Sequence, residues 1–131
     1  MIHMSKQVDY ALQLMYALSK LKKDEYLSLR KFAVDSKISF LFLQRIARSL
    51  KKANFIDAAR GVRGGYYCLI NPKHITLKEL MTAVDGPFGI TDCTKGMDCP
   101  RKKTCTACDL FSKINKHIEQ VLNQTRILDR V

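Results

Sequence analysis

Hydrophobic positions recur at helical spacing in three stretches of the first half of the chain. Each stretch is preceded by a serine that can cap a helix: Ser5, Ser28 and Ser39. A serine hydroxyl accepts a hydrogen bond from the unpaired N–H groups of a helix's first turn. Repeats of three or four residues place the apolar side chains on one face. We therefore predict three helices beginning after these serines, the second ending near Ser36 and the third near Lys52.

Two short β-prone runs follow the third helix, over residues 55–60 and 66–70, on either side of the glycine-rich stretch 61–65. This order predicts a β-hairpin. Asn54 lies just before it, and asparagine tolerates the left-handed conformation that ends helices.

The second half of the chain predicts two more helices separated by a loop. Thr76 and Glu79 have the spacing of a capping box, which predicts a helix to about Val84. Residues 88–104 show little periodicity, and loops of that length tend to be functional or disordered. From Thr106 onward a helix of about twenty residues is expected. Its apolar stripe comprises Leu110, Ile114, His117 or Ile118, Val121, Thr125 and Leu128. A terminal helix with such a stripe should pack on the body or on a second copy of itself.

Three helices followed by a hairpin predict a winged helix-turn-helix, a mainly α fold with a small β-hairpin wing. We divide the chain into a DNA-binding domain over residues 1–86, a cysteine-rich loop over 87–108 and a C-terminal dimerisation helix over 109–131. In this fold the third helix enters the major groove of DNA.

The candidate DNA contacts lie on the third helix and on the hairpin tip. Base contacts are expected from Ser39, Leu41, Phe42, Gln44 and Arg45, and phosphate contacts from Arg48 and Lys51. Arg60 and Arg63, among the glycines of the hairpin tip, can enter the narrow and negative minor groove.

The charge distribution favours a polyanionic partner. The 131 residues carry a formal net charge of +11. Residues 1–71 hold 13 Lys and Arg against 5 Asp and Glu, a net charge of +8. Double-stranded DNA is the partner we expect, and the alternative is a surface whose charge only aids solubility. No apolar run reaches the roughly 18 residues of a membrane span and the N-terminus lacks the order of a secretory signal, so we expect a cytoplasmic protein without membrane contact.

Four of the five cysteines lie within sixteen residues, at Cys93, Cys99, Cys105 and Cys108. In a reducing compartment such clustering points to metal or redox chemistry more than to structural disulfides. An iron–sulfur cluster, a zinc site and a thiol–disulfide switch at the final C-x2-C pair all remain open from the spacing. No Ser/His/Asp grouping, phosphate loop or pair of acid–base carboxylates is evident, so we predict that the protein is not an enzyme.

Several motifs together resemble the Rrf family of bacterial regulators, in particular its IscR- and NsrR-type iron–sulfur members. The resemblance covers almost the whole chain. The motifs are Ile38-Ser39, Ala53-Asn54-Phe55-Ile56, Arg60-Gly61-Val62-Arg63-Gly64-Gly65-Tyr66, Ile75-Thr76-Leu77, and the C-x5-C-x5-C of Cys93, Cys99 and Cys105.

The resemblance implies a homodimeric regulator that binds a palindromic operator and holds a 2Fe–2S or 4Fe–4S cluster on Cys93, Cys99 and Cys105. Two positions match fourth ligands of the family. Cys108 stands where IscR-type members have a histidine, and Asp9 stands where NsrR-type members supply an aspartate from the partner chain. We favour Cys108, because it is close in sequence and a thiolate binds iron more strongly than a carboxylate does.

Overall fold

Capped helices form the first part of the computed structural model, which describes residues 3–129. Over these residues the helices are α1 (Lys6–Ser19), α2 (Leu29–Ser36), α3 (Phe40–Lys52), α4 (Leu77–Asp85) and α5 (Cys108–Gln124), and the strands are β1 (Ile56–Ala59) and β2 (Gly65–Cys68). Short 3-10 turns occur at Pro72–His74 and Cys93–Lys95. Residues 1–2 of the predicted DNA-binding domain and residues 130–131 of the predicted dimerisation helix lie outside the described residues.

The three predicted serine caps are confirmed. The hydroxyl oxygen of each serine accepts a hydrogen bond from the amide three residues later, at distances of 3.2 Å for Ser5, 3.3 Å for Ser28 and 3.4 Å for Ser39. Lys37, between α2 and α3, and Asn54, after α3, have φ angles of 60° and 63°. These left-handed residues end one helix and turn the chain sharply into the next element.

The apolar faces of α1, α3 and α4 meet in the main core. Its fully buried members come from the helices and from the segments next to them: Ala11, Leu14, Met15, Leu43, Ala47, Leu50, Ile56, Ile75 and Leu80. Burial of these side chains away from water is the main force that fixes α3 against α1 and leaves its other face outward.

The hairpin is antiparallel, with Ile56 opposite Cys68 and Ala59 opposite Gly65. Leu27 extends it, because the Leu27 and Tyr66 backbones exchange two hydrogen bonds of 2.9 Å each. A Cβ atom on Gly65, whose φ is 156°, would overlap the Leu27 carbonyl group. Glycine is therefore required where the segment before α2 approaches the hairpin.

Helix α4 begins with the predicted capping box. The Thr76 hydroxyl accepts a hydrogen bond from the Glu79 amide, and the Glu79 carboxylate accepts one from the Thr76 amide. The two bonds satisfy amide groups that the first turn of a helix leaves unpaired.

Helix α5 ends at Gln124, before Thr125 and Leu128, the last two positions of the predicted stripe. The chain then turns back to α4: the Thr125 carbonyl accepts a hydrogen bond from the Leu77 amide at 2.8 Å, and the Ile127 amide donates one to the Ile75 carbonyl at 3.0 Å. These tertiary hydrogen bonds replace the ones that the Thr125 carbonyl and the Ile127 amide would make in a longer helix. The segment after α5 is thereby attached to the start of α4.

Part of the predicted apolar stripe of α5 faces away from the body of this chain. Leu110, Ile114 and Val121 are 58%, 39% and 61% exposed. Ile118, by contrast, is half-buried and packs on the body beside Leu122. The side that packs inward also carries Asn115 and Leu122, both buried. Packing on the body therefore accounts for only part of the stripe.

Within residues 3–129 no helix combines the length and the apolar composition needed to cross a bilayer.

Candidate functional site

The outward face of α3 carries the predicted DNA contacts. Leu43, Ile46, Ala47 and Leu50 are buried in the core. Because these positions fix the rotation of the helix, the remaining ones face solvent. The exposed residues are Leu41, Gln44, Arg45, Arg48, Lys51 and Lys52. A polar and basic face of this kind suits the major groove.

Two of the predicted base contacts have other interactions in this structure. The Ser39 hydroxyl caps α3 by accepting from the Phe42 amide. Phe42 is half-buried, and its ring lies edge-on to Tyr10 with the ring centroids 5.3 Å apart. The Arg45 guanidinium lies 5.9 Å from the Phe42 ring centroid. The Phe42 ring therefore packs toward α1 and lies near the Arg45 guanidinium. Leu41, Gln44 and Arg45 extend further outward.

Lys51 forms an ion pair with Asp57 of β1, with 3.6 Å between Nζ and Oδ1. Both side chains are largely exposed, so the pair contributes little to stability. It attaches the C-terminal end of α3 to the base of the wing. A phosphate that binds Lys51 competes with this carboxylate.

The tip of the hairpin presents Arg60, Val62 and Arg63, all exposed. A Cβ atom on Gly64 would overlap the Ala59 carbonyl, so the turn closes tightly only with glycine there. The tip carries two cations on a narrow loop, as the sequence predicts.

The four clustered cysteines line one cavity of about 550 Å³. The loop after α4 contributes Cys93, Cys99 and Cys105, and Cys108 is the first residue of α5. Met97, Asp98, Lys102 and Ser112 complete most of the remaining wall. All four thiols are free and half-buried. The structure therefore brings together four residues that the sequence singled out from their spacing.

The donor set of this cavity is four cysteine thiols. Iron–sulfur clusters are held by cysteine thiolates bound to separate irons. Zinc takes the same donors at about 2.0–2.3 Å from one ion. Among the described residues, no three His, Cys, Asp or Glu side chains are gathered around one point. The thiols fit either group by their chemistry.

The cysteine loop is attached to α5 at Asn115. This side chain is only 6% exposed, and its Oδ1 accepts a hydrogen bond from the Ile90 amide at 2.9 Å. Thr91 follows, and its hydroxyl oxygen lies 3.1 Å from the Cys93 sulfur. Sequence analysis missed both residues. The available signal was the spacing of seven that places Asn115 on the same helical face as Cys108 and Leu122.

Asp9 and Cys68 lie away from the cysteine cavity of their own chain. Asp9 is exposed in the first turn of α1, and its carboxylate accepts a hydrogen bond from the Gln13 amide group at 3.1 Å. Cys68 packs against the main core from β2, as predicted, and burial raises the pKa of its thiol to about 11. Such a thiol is almost entirely protonated at neutral pH and is a poor ligand or nucleophile.

A sequence model of the Rrf2 family, described as iron-dependent transcriptional regulator, matches residues 4–131. The chain belongs to the Rrf2 family. Its members are transcriptional regulators and not enzymes, which confirms both the family resemblance and the predicted absence of enzymatic function.

Curated relatives of this Rrf2 chain are moderately similar in sequence. HTH-type transcriptional regulators of Neisseria meningitidis are 24% identical over 90 residues, which cover 69% of this chain and 61% of theirs. The match thus spans about three fifths of the length of these relatives. The HTH-type transcriptional regulator CymR of Bacillus subtilis is 25% identical over 120 residues, covering 92% of this chain and 83% of CymR.

Solved structures confirm the winged-helix fold of this Rrf2 chain. The structure of B. subtilis CymR, described as the global cysteine regulator of that organism, superposes with a TM-score of 0.71 at 24% identity and covers 97% of this chain and 94% of its own. That of T. potens IscR superposes with a TM-score of 0.74 at 22% identity, covering 98% and 85%.

Proposed function

We propose that this Rrf2 protein is a homodimeric regulator whose affinity for a palindromic operator is controlled by an iron–sulfur cluster bound to Cys93, Cys99, Cys105 and Cys108. The observation that supports the proposal most strongly is the shared cavity of these four thiols at the start of α5. When bound, the cluster supplies a centre whose loss or oxidation frees the four sulfur ligands. A cytoplasmic location, where thiols stay reduced, suits this chemistry.

In this function α3 and the wing bind the operator. Gln44 and Arg45, exposed near the start of α3, are suited to bidentate hydrogen bonds with adenine and guanine. Arg48 and Lys51 lie further along the helix and are assigned to phosphates. Arg60 and Arg63 reach from the wing toward the minor groove.

The two DNA-binding domains of a dimer bind a palindrome only when their recognition helices are about 34 Å apart, one helical turn of DNA. The outward stripe of α5 supports dimerisation, because an exposed apolar face on a terminal helix is suited to a second copy. The cysteine loop connects α4 of the DNA-binding domain to α5. Ordering this loop around a cluster therefore changes the preferred position of each DNA-binding domain relative to the dimerisation helix.

The position of Cys108 supports it as the fourth ligand, since it lines the cavity with the other three thiols. Asp9 of the partner subunit is the alternative. Among the described residues, the Asp9 carboxylate accepts one hydrogen bond, from Gln13 on the exposed surface of α1, so an incoming cluster would displace no strong partner.

The test is to purify the protein without air, measure iron and sulfide, and compare operator binding before and after cluster removal by gel shift. We expect bound iron and sulfide in the wild type and a change in operator affinity on removal. Cys108→Ser should lose cluster where Cys68→Ser, the matched control outside the cavity, retains it. Retention by Cys108→Ser together with loss by Asp9→Ala would assign the fourth ligand to Asp9. Wild-type protein that takes up neither iron nor sulfide during reconstitution would disprove the cluster.

A thiol–disulfide switch is the second candidate. It is favoured by one observation: Cys105 and Cys108 are three residues apart, reduced, and line the same cavity. Oxidation would join their sulfurs and release two electrons and two protons to an oxidant such as peroxide. Mass spectrometry of peroxide-treated, iron-free protein should then find this disulfide together with a change in operator affinity.

A further inference from the structure

Asn115 is the buried polar side chain that joins α5 to the cysteine loop. It lies on the same face of α5 as Cys108 and Ser112, which both line the cysteine cavity. Its Oδ1 accepts from the Ile90 amide across 25 positions of sequence. A buried amide that loses its partner is costly, so this bond fixes the position of the loop relative to the helix.

The residues after Ile90 continue the connection toward a cysteine. The Thr91 amide donates to the Thr94 hydroxyl oxygen at 2.9 Å, and the Thr94 hydroxyl donates to the Thr91 carbonyl at 2.8 Å. Thr94 thereby uses its one hydroxyl hydrogen. The Thr91 hydroxyl oxygen accepts from the Thr94 amide at 3.3 Å. Its own hydrogen has two acceptors within reach, Thr94 Oγ1 and Cys93 Sγ, each at 3.1 Å.

The charge on sulfur decides between these two acceptors. A hydrogen bond to an ionised acceptor is about twice as strong as one between neutral groups. When Cys93 binds a metal centre it does so as a thiolate. The Thr91 hydroxyl would then donate to sulfur, and Thr94 would keep its other hydrogen bonds.

We propose that Thr91 and Asn115 are positioning residues of the cysteine site: Thr91 donates a hydrogen bond to the Cys93 ligand, and Asn115 transmits the position of that ligand to α5. This inference rests on the proposed function. Hydrogen bonds to the sulfurs of an iron–sulfur cluster are among the features that set its reduction potential. Donation to sulfur withdraws electron density and favours the reduced form, so Thr91 raises that potential.

The first test compares Thr91→Val with Thr91→Ser in cluster-loaded protein. Valine has nearly the shape of threonine but no hydroxyl, and serine keeps the hydroxyl. We expect the reduction potential, followed by visible absorbance in a redox titration, to become more negative in Thr91→Val and to return toward the wild-type value in Thr91→Ser. A role in packing alone would predict the reverse order, since serine removes the methyl group.

The second test concerns α5 and uses Asn115→Leu, with Asn123→Leu as the matched control. Asn123 lies on the same helix but is exposed and outside the cysteine cavity. We expect the ratio of operator affinities between cluster-loaded and cluster-free protein to fall toward one in Asn115→Leu and to stay near the wild-type ratio in Asn123→Leu. Equal thermal midpoints would show that both variants fold.

The outcomes separate this inference from the proposed function. Wild-type protein that takes up no cluster overturns both. Loaded wild type with an unchanged potential in Thr91→Val overturns the role of Thr91 while the proposed function stands. An Asn115→Leu protein that folds and keeps the full ratio of affinities overturns the role of Asn115 in the same way.

Discussion

At the scale of single residues, the chain uses cysteine in two different ways. The four loop cysteines share a cavity open to solvent. Cys68 instead lies in β2 opposite Ile56, where burial disfavours the charged thiolate and raises the pKa from 9.0 to about 11. The same atom type is thus a candidate ligand in one place and a small apolar side chain in the other.

Cys68 should therefore react slowly with alkylating reagents in the folded protein. At pH 8 the folded thiol is ionised about a hundredfold less than a thiol of ordinary pKa, because each pKa unit changes the thiolate fraction about tenfold. We expect iodoacetamide to modify Cys68 about a hundredfold more slowly in native than in urea-unfolded protein, measured by peptide mapping. Equal rates in the two states would contradict the burial of this thiol.

The raised pKa of the Cys68 thiol also makes the stability of the protein depend on pH. Between pH 9 and 11 the unfolded thiol releases its proton while the folded thiol keeps it. The unfolded state then binds fewer protons, so the free energy of unfolding falls as pH rises through this window. Cys68→Ala should reduce that fall in urea titrations.

Residue chemistry was predictable from the sequence where a local pattern signals it. Ser39, Asn54 and the capping box of Thr76 and Glu79 act as expected because capping depends on neighbours within four residues. The contact between Asn115 and Ile90 was not predictable, because it joins positions 25 residues apart that folding brings together. The contacts of Thr91 with Cys93 and Thr94 are local, but they lie in a loop that has no capping pattern to mark them.

At the scale of elements, the two halves of α3 expose different side chains. Its first half exposes Gln44 and Arg45, and its second half exposes Arg48, Lys51 and Lys52. Geometry of the winged helix puts the first turns against base edges. The second half, which is only basic, is suited to phosphates.

We expect Arg45→Ala to reduce base discrimination and Lys51→Ala to weaken binding to all sequences. Loss of a bidentate contact costs about 1–3 kcal/mol of preference at one position. Loss of one phosphate contact should lower the salt slope of binding by about one. Gel shifts with wild-type and single-base operator variants over a range of salt concentrations measure both quantities.

An Arg45→Ala protein with unchanged affinity and base preference would disprove the assignment of α3 as the recognition helix. The Lys51–Asp57 ion pair gives a further control. Asp57→Asn should strengthen binding to all sequences slightly, because it frees Lys51 from a competing carboxylate.

The helices α1 to α5 and the hairpin were predicted from hydrophobic periodicity, capping residues and β-prone runs, but the orientation of α5 was not. Its stripe of Leu110, Ile114 and Val121 was correctly identified as apolar, yet the side packed on the body carries Asn115. A helix with two partners has two faces, and apolar spacing alone does not say which partner each face meets.

At the scale of the whole molecule, the proposed dimer depends on that outward stripe. We expect Ile114→Lys and Val121→Lys to shift the protein from dimer to monomer in sedimentation, because a buried unpaired ammonium is costly. Affinity for a palindromic operator should fall roughly tenfold or more, since the two DNA-binding domains would no longer bind as one unit.

Gln120→Lys is the matched control for these substitutions. It adds the same charge to an exposed and polar position of α5. Dimer formation by Ile114→Lys and Val121→Lys at the wild-type concentration would mean that subunits associate through another surface.

The backbone hydrogen bonds that join residues 125–127 to the start of α4 have a mechanical consequence. They hold the far end of α5 against α4, so a displacement of the Cys108 end would tilt the helix about that point. The lever arm is about 25 Å long, given a rise of about 1.5 Å per residue over the helix. Displacement is then largest at Cys108, the residue beside the cysteine cavity. A change of a few ångströms at Cys108 would tilt α5 by only a few degrees. The DNA-binding domain attached to α5 would turn relative to the partner's.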